Sequence, residues 1–233
     1  MTRKRIGSAD LDSPAHRSLE GMCELLLVRH GEQEIREDMA LAEATDAPLS
    51  PLGQRQAHAV GERLAGARIS AIYSSDLARA RDTAHAIAGH HDLDPVIRSE
   101  LREIDLWQRA PQHKRLLEVH PPDELVRIFR EGLRSRLHSA FPYCEDTAAF
   151  RARVMAAIDR IAVENPDRRV VVACHGGVIN TILSEWLGSK YDRLVNVHHT
   201  SITTARVADK RRVILTVNDY AHVLAMNDLR EWT

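Results

Sequence analysis

The residues of this chain best suited to chemistry are two histidines, each ending an apolar run. Leu25-Leu26-Leu27-Val28 leads straight into Arg29-His30-Gly31-Glu32-Gln33, and Val170-Val171-Val172-Ala173-Cys174 leads into His175-Gly176-Gly177. Runs of this length read as strands buried on both faces, and in open α/β sheets ligands bind beyond the carboxyl ends of such strands. If the two strands are parallel in one sheet, both imidazoles lie at the same edge and can face one another. Two imidazoles and a guanidinium form a site for a dianion. The glycine after each histidine lets the backbone turn and a ligand come close.

For a phosphate ester, such a site must hold two negative charges, supply a nucleophile and protonate a leaving alcohol. His30 suits the nucleophile, because a neutral imidazole brings no negative charge towards phosphorus. Nearby arginines keep it neutral by disfavouring a second cation. Arg29 offers a planar fork for phosphate oxygens. A second arginine lies at the start of a helix that follows a strand, itself a favourable place for an anion. Arg79 and Arg81 both lie there, and helical periodicity does not choose between them. A carboxylate is needed for the leaving group; Glu103 follows the third strand, and Asp105, Glu32 and Glu34 are rivals.

The elements that must position these groups are legible in outline. Ser50-Pro51 opens a helix as N-cap and first helical residue, running to Gly66. Ile69 to Tyr73 reads as a second strand. Ser74-Ser75-Asp76 reads as the cap of a helix from Leu77 to Ala88, with Leu77, Ala80, Ala84, Ile87 and Ala88 at helical spacing. Asp94 to Arg98 is a third strand. Glu34 to Ala47 reads as an irregular acidic loop. Between Leu101 and Tyr143 four prolines interrupt the pattern, and Asp123 to His138 reads as an amphipathic helix with Leu125, Ile128, Phe129, Leu133 and Leu137 inward. Its Arg127, Arg130 and Arg134 read as a solvated face, with contact to an anionic substrate as the alternative. Asp146-Thr147 caps a helix bearing Phe150, Val154, Ala157, Ile158 and Ile161, ended by Asn165-Pro166-Asp167. Ser201 to Val207 and Val213 to Val217 suit a hairpin, which makes the sheet mixed.

Composition sets bounds. The 233 residues, 44% of them hydrophobic, suffice for one sizeable α/β domain. A net charge of −1, with the basic residues scattered among acids, gives no field favouring nucleic acid or an acidic membrane. No apolar run approaches the roughly 20 residues that span a bilayer. Cys23, Cys144 and Cys174 have neither disulfide nor zinc spacing, which fits a reducing cytosol and a cytoplasmic protein. Residues 1–21 are polar, with a basic start but no signal-peptide pattern, and read as a disordered tail; Met22 is a possible alternative start.

Five motifs in order resemble the histidine phosphatase superfamily, in its phosphoglycerate-mutase-like branch. They are Arg29-His30-Gly31-Glu32; Pro48-Leu49-Ser50-Pro51-Leu52-Gly53 with Gln56-Ala57; Ser74-Ser75 with Leu77, Arg79-Ala80 and Thr83-Ala84; Leu101-Arg102-Glu103-Ile104; and His175-Gly176-Gly177-Val178-Ile179. Together they span roughly Glu24 to Met226. The resemblance implies a three-layer α/β/α sandwich around a mixed, mostly parallel sheet, as one domain over residues 22–233 with a helical cap insertion at about 105–145. It implies that His30 takes the phosphoryl group, that Arg29, Arg79 and His175 bracket the phosphate, and that Glu103 donates the proton. It selects Arg79 over Arg81 through the Arg-Ala-x-x-Thr-Ala frame. Gln33 and Gly176 are expected at the substrate, with no metal and no cofactor.

Departures lie around the substrate. Gln33 and Arg36 stand where the family often has Ser or Thr and Asn. Leu106-Trp107-Gln108-Arg109 replaces a frequent glycine and Trp-Glu-Gly, and Cys144-Glu145 replaces Gly-Glu. The segment with which phosphoglycerate mutases enclose their substrate has no evident match. The expectation is therefore a metal-independent phosphatase acting on a small phosphate monoester through a phosphohistidine. A phosphoglycerate-type mutase and a non-catalytic scaffold that binds phospho-ligands are the alternatives.

Overall fold

Leu25, Leu26, Leu27 and Val28 are all buried because the strand that contains them, β1 (Cys23–Arg29), lies inside a six-stranded sheet. The computed structural model describes residues 21–209 and 211–224. The other strands are β2 (Ala71–Ser74), β3 (Val96–Ile97), β4 (Arg169–Cys174), β5 (Ile202–Ala208) and β6 (Arg211–Asp219). Their spatial order is β3-β2-β4-β1-β5-β6. The first three neighbouring pairs are parallel and the last two antiparallel, so the sheet is mixed and mostly parallel, with β5 and β6 forming the anticipated hairpin.

Helices cover both faces, which is why the central strands are apolar throughout. On one face, α2 (Pro51–Leu64) and α3 (Ala78–Ala88) pack Val60, Leu64, Ala84 and Ile87 against Leu26, Val28, Ile72 and Val171. On the other, α6 (Thr147–Glu164) and α7 (Gly176–Leu187) bring Phe150, Val154, Ile158, Ile161, Ile179 and Ile182 against Leu25, Leu27, Val170 and Val172. Ser50 caps α2 by accepting from the Gly53 amide, and Asp146 caps α6 by accepting from Ala148 and Ala149.

Several sequence expectations need correction. The loop from Glu34 to Ala47 contains a short helix, α1 (Leu41–Thr45). The first helix stops at Leu64, and β3 keeps only two paired residues because it is an edge strand. The cap of α3 is not local: the Ala78 amide donates to Asp46 Oδ1 at 2.7 Å, from the loop before α2. Ser75 accepts instead from Leu77 at 3.3 Å.

Between Leu101 and α6 stand a four-residue helix, α4 (Leu116–Val119), and α5 (Pro122–Ser135). α5 ends at Ser135 because Arg136 takes a left-handed conformation, φ 59°. Its buried stripe is Leu125, Ile128 and Gly132; Phe129 and Leu133 are exposed rather than inward. Gly132 belongs to the stripe because Phe141 leaves no room for a side chain, a Cβ there falling 2.7 Å from the ring. Arg127, Arg130 and Arg134 lie exposed. The tail expected over residues 1–21 falls, apart from Gly21, outside the described residues, as does Met226.

Candidate active site

Strands β1 and β4 are neighbours in parallel register, Arg29 opposite Cys174, so the residues that follow them emerge side by side. The His30 amide donates to the Cys174 carbonyl at 3.0 Å, and the His30 and His175 ring centroids are 5.0 Å apart. Both histidines are buried.

The turn after β1 is clamped by two close approaches. Gly31 and Gly53 meet backbone to backbone: a Cβ on Gly31 falls 2.4 Å from the Gly53 carbonyl oxygen, and one on Gly53 falls 2.0 Å from that of Glu32. Thr83 joins the turn to α3, accepting from the Gly31 amide at 3.1 Å and donating to the Arg79 carbonyl at 2.8 Å. This explains the Arg-Ala-x-x-Thr spacing physically. One helical turn separates the arginine that enters the site from the hydroxyl that anchors its helix to the turn after His30.

His30 Nδ1 lies 2.6 Å from the Gly31 carbonyl oxygen, an acceptor only, so Nδ1 carries the proton and Nε2 its lone pair. Nε2 faces Arg79, whose Nε donates to it at 3.2 Å. Arg79 Nη1 is held by the Thr45 carbonyl at 2.8 Å, and Arg29 Nη1 by the Val197 carbonyl at 2.5 Å. Burial, then the charges of His175, Arg79 and Arg29, hold the His30 pKa well below the ordinary imidazole value. Burial and the arginines lower that of His175 as well. Both are neutral near pH 7. Burial also lowers Arg79, opposed by the charges of Glu103 and Asp46, and its guanidinium stays protonated.

His175 Nε2 pairs with Ser75 Oγ at 2.9 Å, while its buried Nδ1 has no hydrogen-bond partner. Ser75 already accepts from Leu77, and its hydroxyl hydrogen is satisfied if it donates to Nε2. That arrangement leaves the proton on Nδ1 and gives His175 an N–H to offer a ligand oxygen.

Glu103 stands at the start of α7. Its Oε2 accepts from the Gly177 amide and its Oε1 from the Ile104 amide, each at 3.0 Å. A side chain on Gly177 would meet this carboxylate, its Cβ 2.4 Å from Oε1. Gly176 packs beside Arg29, a Cβ there lying 3.7 Å from Nε.

His30, Arg29, Arg79, His175 and Glu103 are therefore gathered at one sheet edge. The rivals are used differently. Arg81 is exposed. Glu32 accepts from Ser50 Oγ at 2.6 Å, and Asp105 Oδ1 accepts from the Trp107 amide at 2.9 Å. Gln33 bridges to Leu49 and lines a cavity of about 480 Å³ that reaches Arg79 and Glu103. A second cavity, of about 340 Å³, lies on the Arg29 side of Glu103 and is bordered by Phe129, Leu133 and Arg193.

Sequence reading missed His199. It precedes β5, the antiparallel neighbour of β1, so the end at which β5 begins lies at the edge where β1 finishes. Its ring is 5.8 Å from that of His30, and burial with the charges of Arg29, His198 and Arg79 pushes its pKa down to about 3. The signal was available as a histidine pair just before a strand, but nothing in it announced which strand would lie alongside.

A buried neutral imidazole, flanked by two guanidiniums, a second imidazole and a carboxylate, thus stands at the carboxyl edge of a mixed α/β sheet. Residues 25–220 match the histidine phosphatase superfamily (branch 1), and the chain belongs to that family. It is 29% identical over 171 residues to a probable phosphoglycerate mutase GpmB of Yersinia enterocolitica, covering 72% of this chain and 76% of that protein. The solved mycobacterial glucosyl-3-phosphoglycerate phosphatase is 25% identical with a TM-score of 0.66, covering 84% of this chain and 98% of the other. Bacillus stearothermophilus YhfR shares the fold, with a TM-score of 0.72 at 24% identity over 86% of this chain and 99% of that one.

Proposed function

We propose that this protein is a metal-independent phosphatase that hydrolyses a phosphate monoester through a phosphohistidine on His30. The observation that carries this reading is the His30 tautomer. With its Nδ1 proton committed to the Gly31 carbonyl, Nε2 presents a lone pair beside the Arg79 guanidinium. In the first step Nε2 attacks phosphorus, the P–O bond to the alcohol breaks, and protonated Glu103 delivers its proton to the leaving oxygen. In the second, water attacks the phosphohistidine, its proton passes to the Glu103 carboxylate, and the N–P bond breaks to release inorganic phosphate. Arg29, Arg79 and the Nδ1–H of His175 hold the phosphoryl oxygens as charge moves among them, the work of preorganised donors. Gln33 and Gly176 border the substrate.

Hydrolysis is favoured over transfer back to the alcohol by the open cavity beside Glu103. Exposed Ile35 and Leu117 border it, so water has a path to the phosphohistidine. Mixing the enzyme with a rapidly cleaved ester and quenching in alkali should yield one phosphorylated peptide, containing His30. His30→Ala should leave no turnover, and His175→Ala a weak residue of it. A label on the His175 peptide, or normal turnover by His30→Ala, overturns the proposal.

A further inference from the structure

The larger cavity has a wall unlike that expected for a small acidic substrate. Its apolar side chains come from two separate parts of the chain: Ile35, Leu41 and Leu77 from the body, Leu106, Trp107 and Leu117 from the segment between Leu101 and α6. Ile35 and Leu117 are 52% and 53% exposed, large apolar side chains left in solvent at the border of one cavity. The cations on that wall already have partners. Arg102 grips Asp76 through Nε and Nη2 at 3.0 and 2.7 Å. Arg36 lies between Asp38 and Glu43, each at 3.2 Å. Arg153 is bonded to Glu145 at 3.1 Å and to the carbonyls of Glu100 and Arg102. Glu37 and Asp105 add negative charge to the same wall. A carboxylate entering here meets acids and guanidiniums that are already paired, whereas a bulky uncharged group covers apolar surface.

Resting on the phosphatase reading above, we infer that the preferred substrate is a monoester of a bulky, uncharged apolar alcohol, preferably aromatic. Its organic group fills the cavity between Ile35, Trp107 and Leu117. The cavity touches both Arg79, 3.2 Å from the attacking nitrogen, and Glu103, the leaving-group acid. An ester whose oxygen is protonated by Glu103 can therefore extend its organic part into this space. Its volume falls within the range of small-molecule sites, which are lined mainly by apolar and aromatic groups with a few polar ones to orient the ligand. Trp107, whose ring also packs against His120, Phe129 and Phe141, supplies an aromatic side chain to this wall.

The test compares primary alkyl esters of similar leaving-group basicity: ethyl phosphate, 2-phenylethyl phosphate and 2-(1-naphthyl)ethyl phosphate, beside 3-phosphoglycerate and phosphoserine. kcat/KM should rise by about 100-fold from the ethyl to the naphthylethyl ester, mainly through KM, and exceed that for both acids. Leu117→Asp, at an exposed position, should lower the ratio of naphthylethyl to ethyl ester kcat/KM by about 10-fold. Trp107→Phe, which keeps an aromatic face, should retain more of the gain than Trp107→Leu. A flat response across the neutral series, or a preference for 3-phosphoglycerate that is lost in Arg193→Ala on the other cavity, overturns the inference. Trapping of phospho-His30 from ethyl phosphate reports separately on the catalytic reading. If trapping succeeds while the size preference fails, only the substrate class falls; if no ester labels His30, the catalysis falls with it.

Discussion

Three neutral imidazoles buried at one sheet edge should make this protein sensitive to mild acid. His30 and His175 have pKa values well below the ordinary imidazole value, and His199 is pushed down to about 3. In the unfolded chain the same groups titrate near 6.5. Below that pH the unfolded chain binds protons that the folded protein refuses, so stability falls as the pH falls. At pH 5.5 each such histidine costs about 1.4 kcal/mol, a sum of about 4 kcal/mol for the three against almost nothing at pH 7.5. That is a large part of the roughly 5–15 kcal/mol that holds a domain folded. Burial lowers His138 too, more than Asp192 raises it, which adds in the same direction. The assay is urea unfolding at pH 7.5 and 5.5, with the difference between the two unfolding free energies as the readout. His199→Asn should shrink that difference by about 1.4 kcal/mol, whatever it costs at either pH alone. Equal stability at the two pH values, or a His199→Asn protein with an unchanged difference, would show that the imidazoles take up protons while folded and that their neutrality has been misjudged.

Glu103→Gln should slow esters of poor leaving groups by roughly 10²–10⁴-fold and activated phenyl esters far less; equal losses would make Glu103 structural. Activity should persist in EDTA because Arg29 and Arg79 supply the fixed positive charge, and full loss restored by magnesium or zinc refutes this. Ser75→Ala should lower kcat about 10-fold by freeing the His175 tautomer, as loss of one hydrogen bond of about 1–1.5 kcal/mol allows. Ser75→Thr, which keeps the hydroxyl, should recover most of it, and a Thr variant no better than Ala would count against the tautomer argument.

The parts of the site that sequence made legible are those fixed by strand direction. Two apolar runs ending in histidine needed only to be parallel neighbours for His30 and His175 to meet, and β1 and β4 are. Burial on both faces left no alternation to mislead the reading of either strand. The helix caps at Ser50 and Asp146 were local, residue to neighbouring amide, and so could be read directly. The Asp46 cap of α3 could not, because its partner lies 32 residues away. Arg79 and Arg81 likewise could not be separated by periodicity. What separates them is the Thr83 hydroxyl bonded to the Gly31 amide, which fixes the rotation of α3 against the turn after His30.

The stretch between Leu101 and α6 resisted for a different reason. A hydrophobic stripe says that a helix has an apolar face; it does not say whether that face meets the core or a cavity. In α5 the stripe proved wider than the core needs. Leu125, Ile128 and Gly132 are buried, while Phe129 and Leu133 turn to the cavity that borders Arg29 and Glu103. Trp107 and Leu117 do the same on the other side of Glu103. Apolar residues counted as core on spacing alone are thus shared between packing and the walls beside the reactive groups. The charged core of the site is built on strand ends and helix starts, where backbone geometry leaves little freedom. The walls proposed to meet the organic part of a substrate are carried by α4, α5 and the loops beside them, where a change of side chain alters the cavity without moving His30. Variation at Trp107, Leu117, Phe129 or Leu133 should therefore change which ester is cleaved, and variation at Thr83, Gly31 or Gly53 should change whether any ester is cleaved.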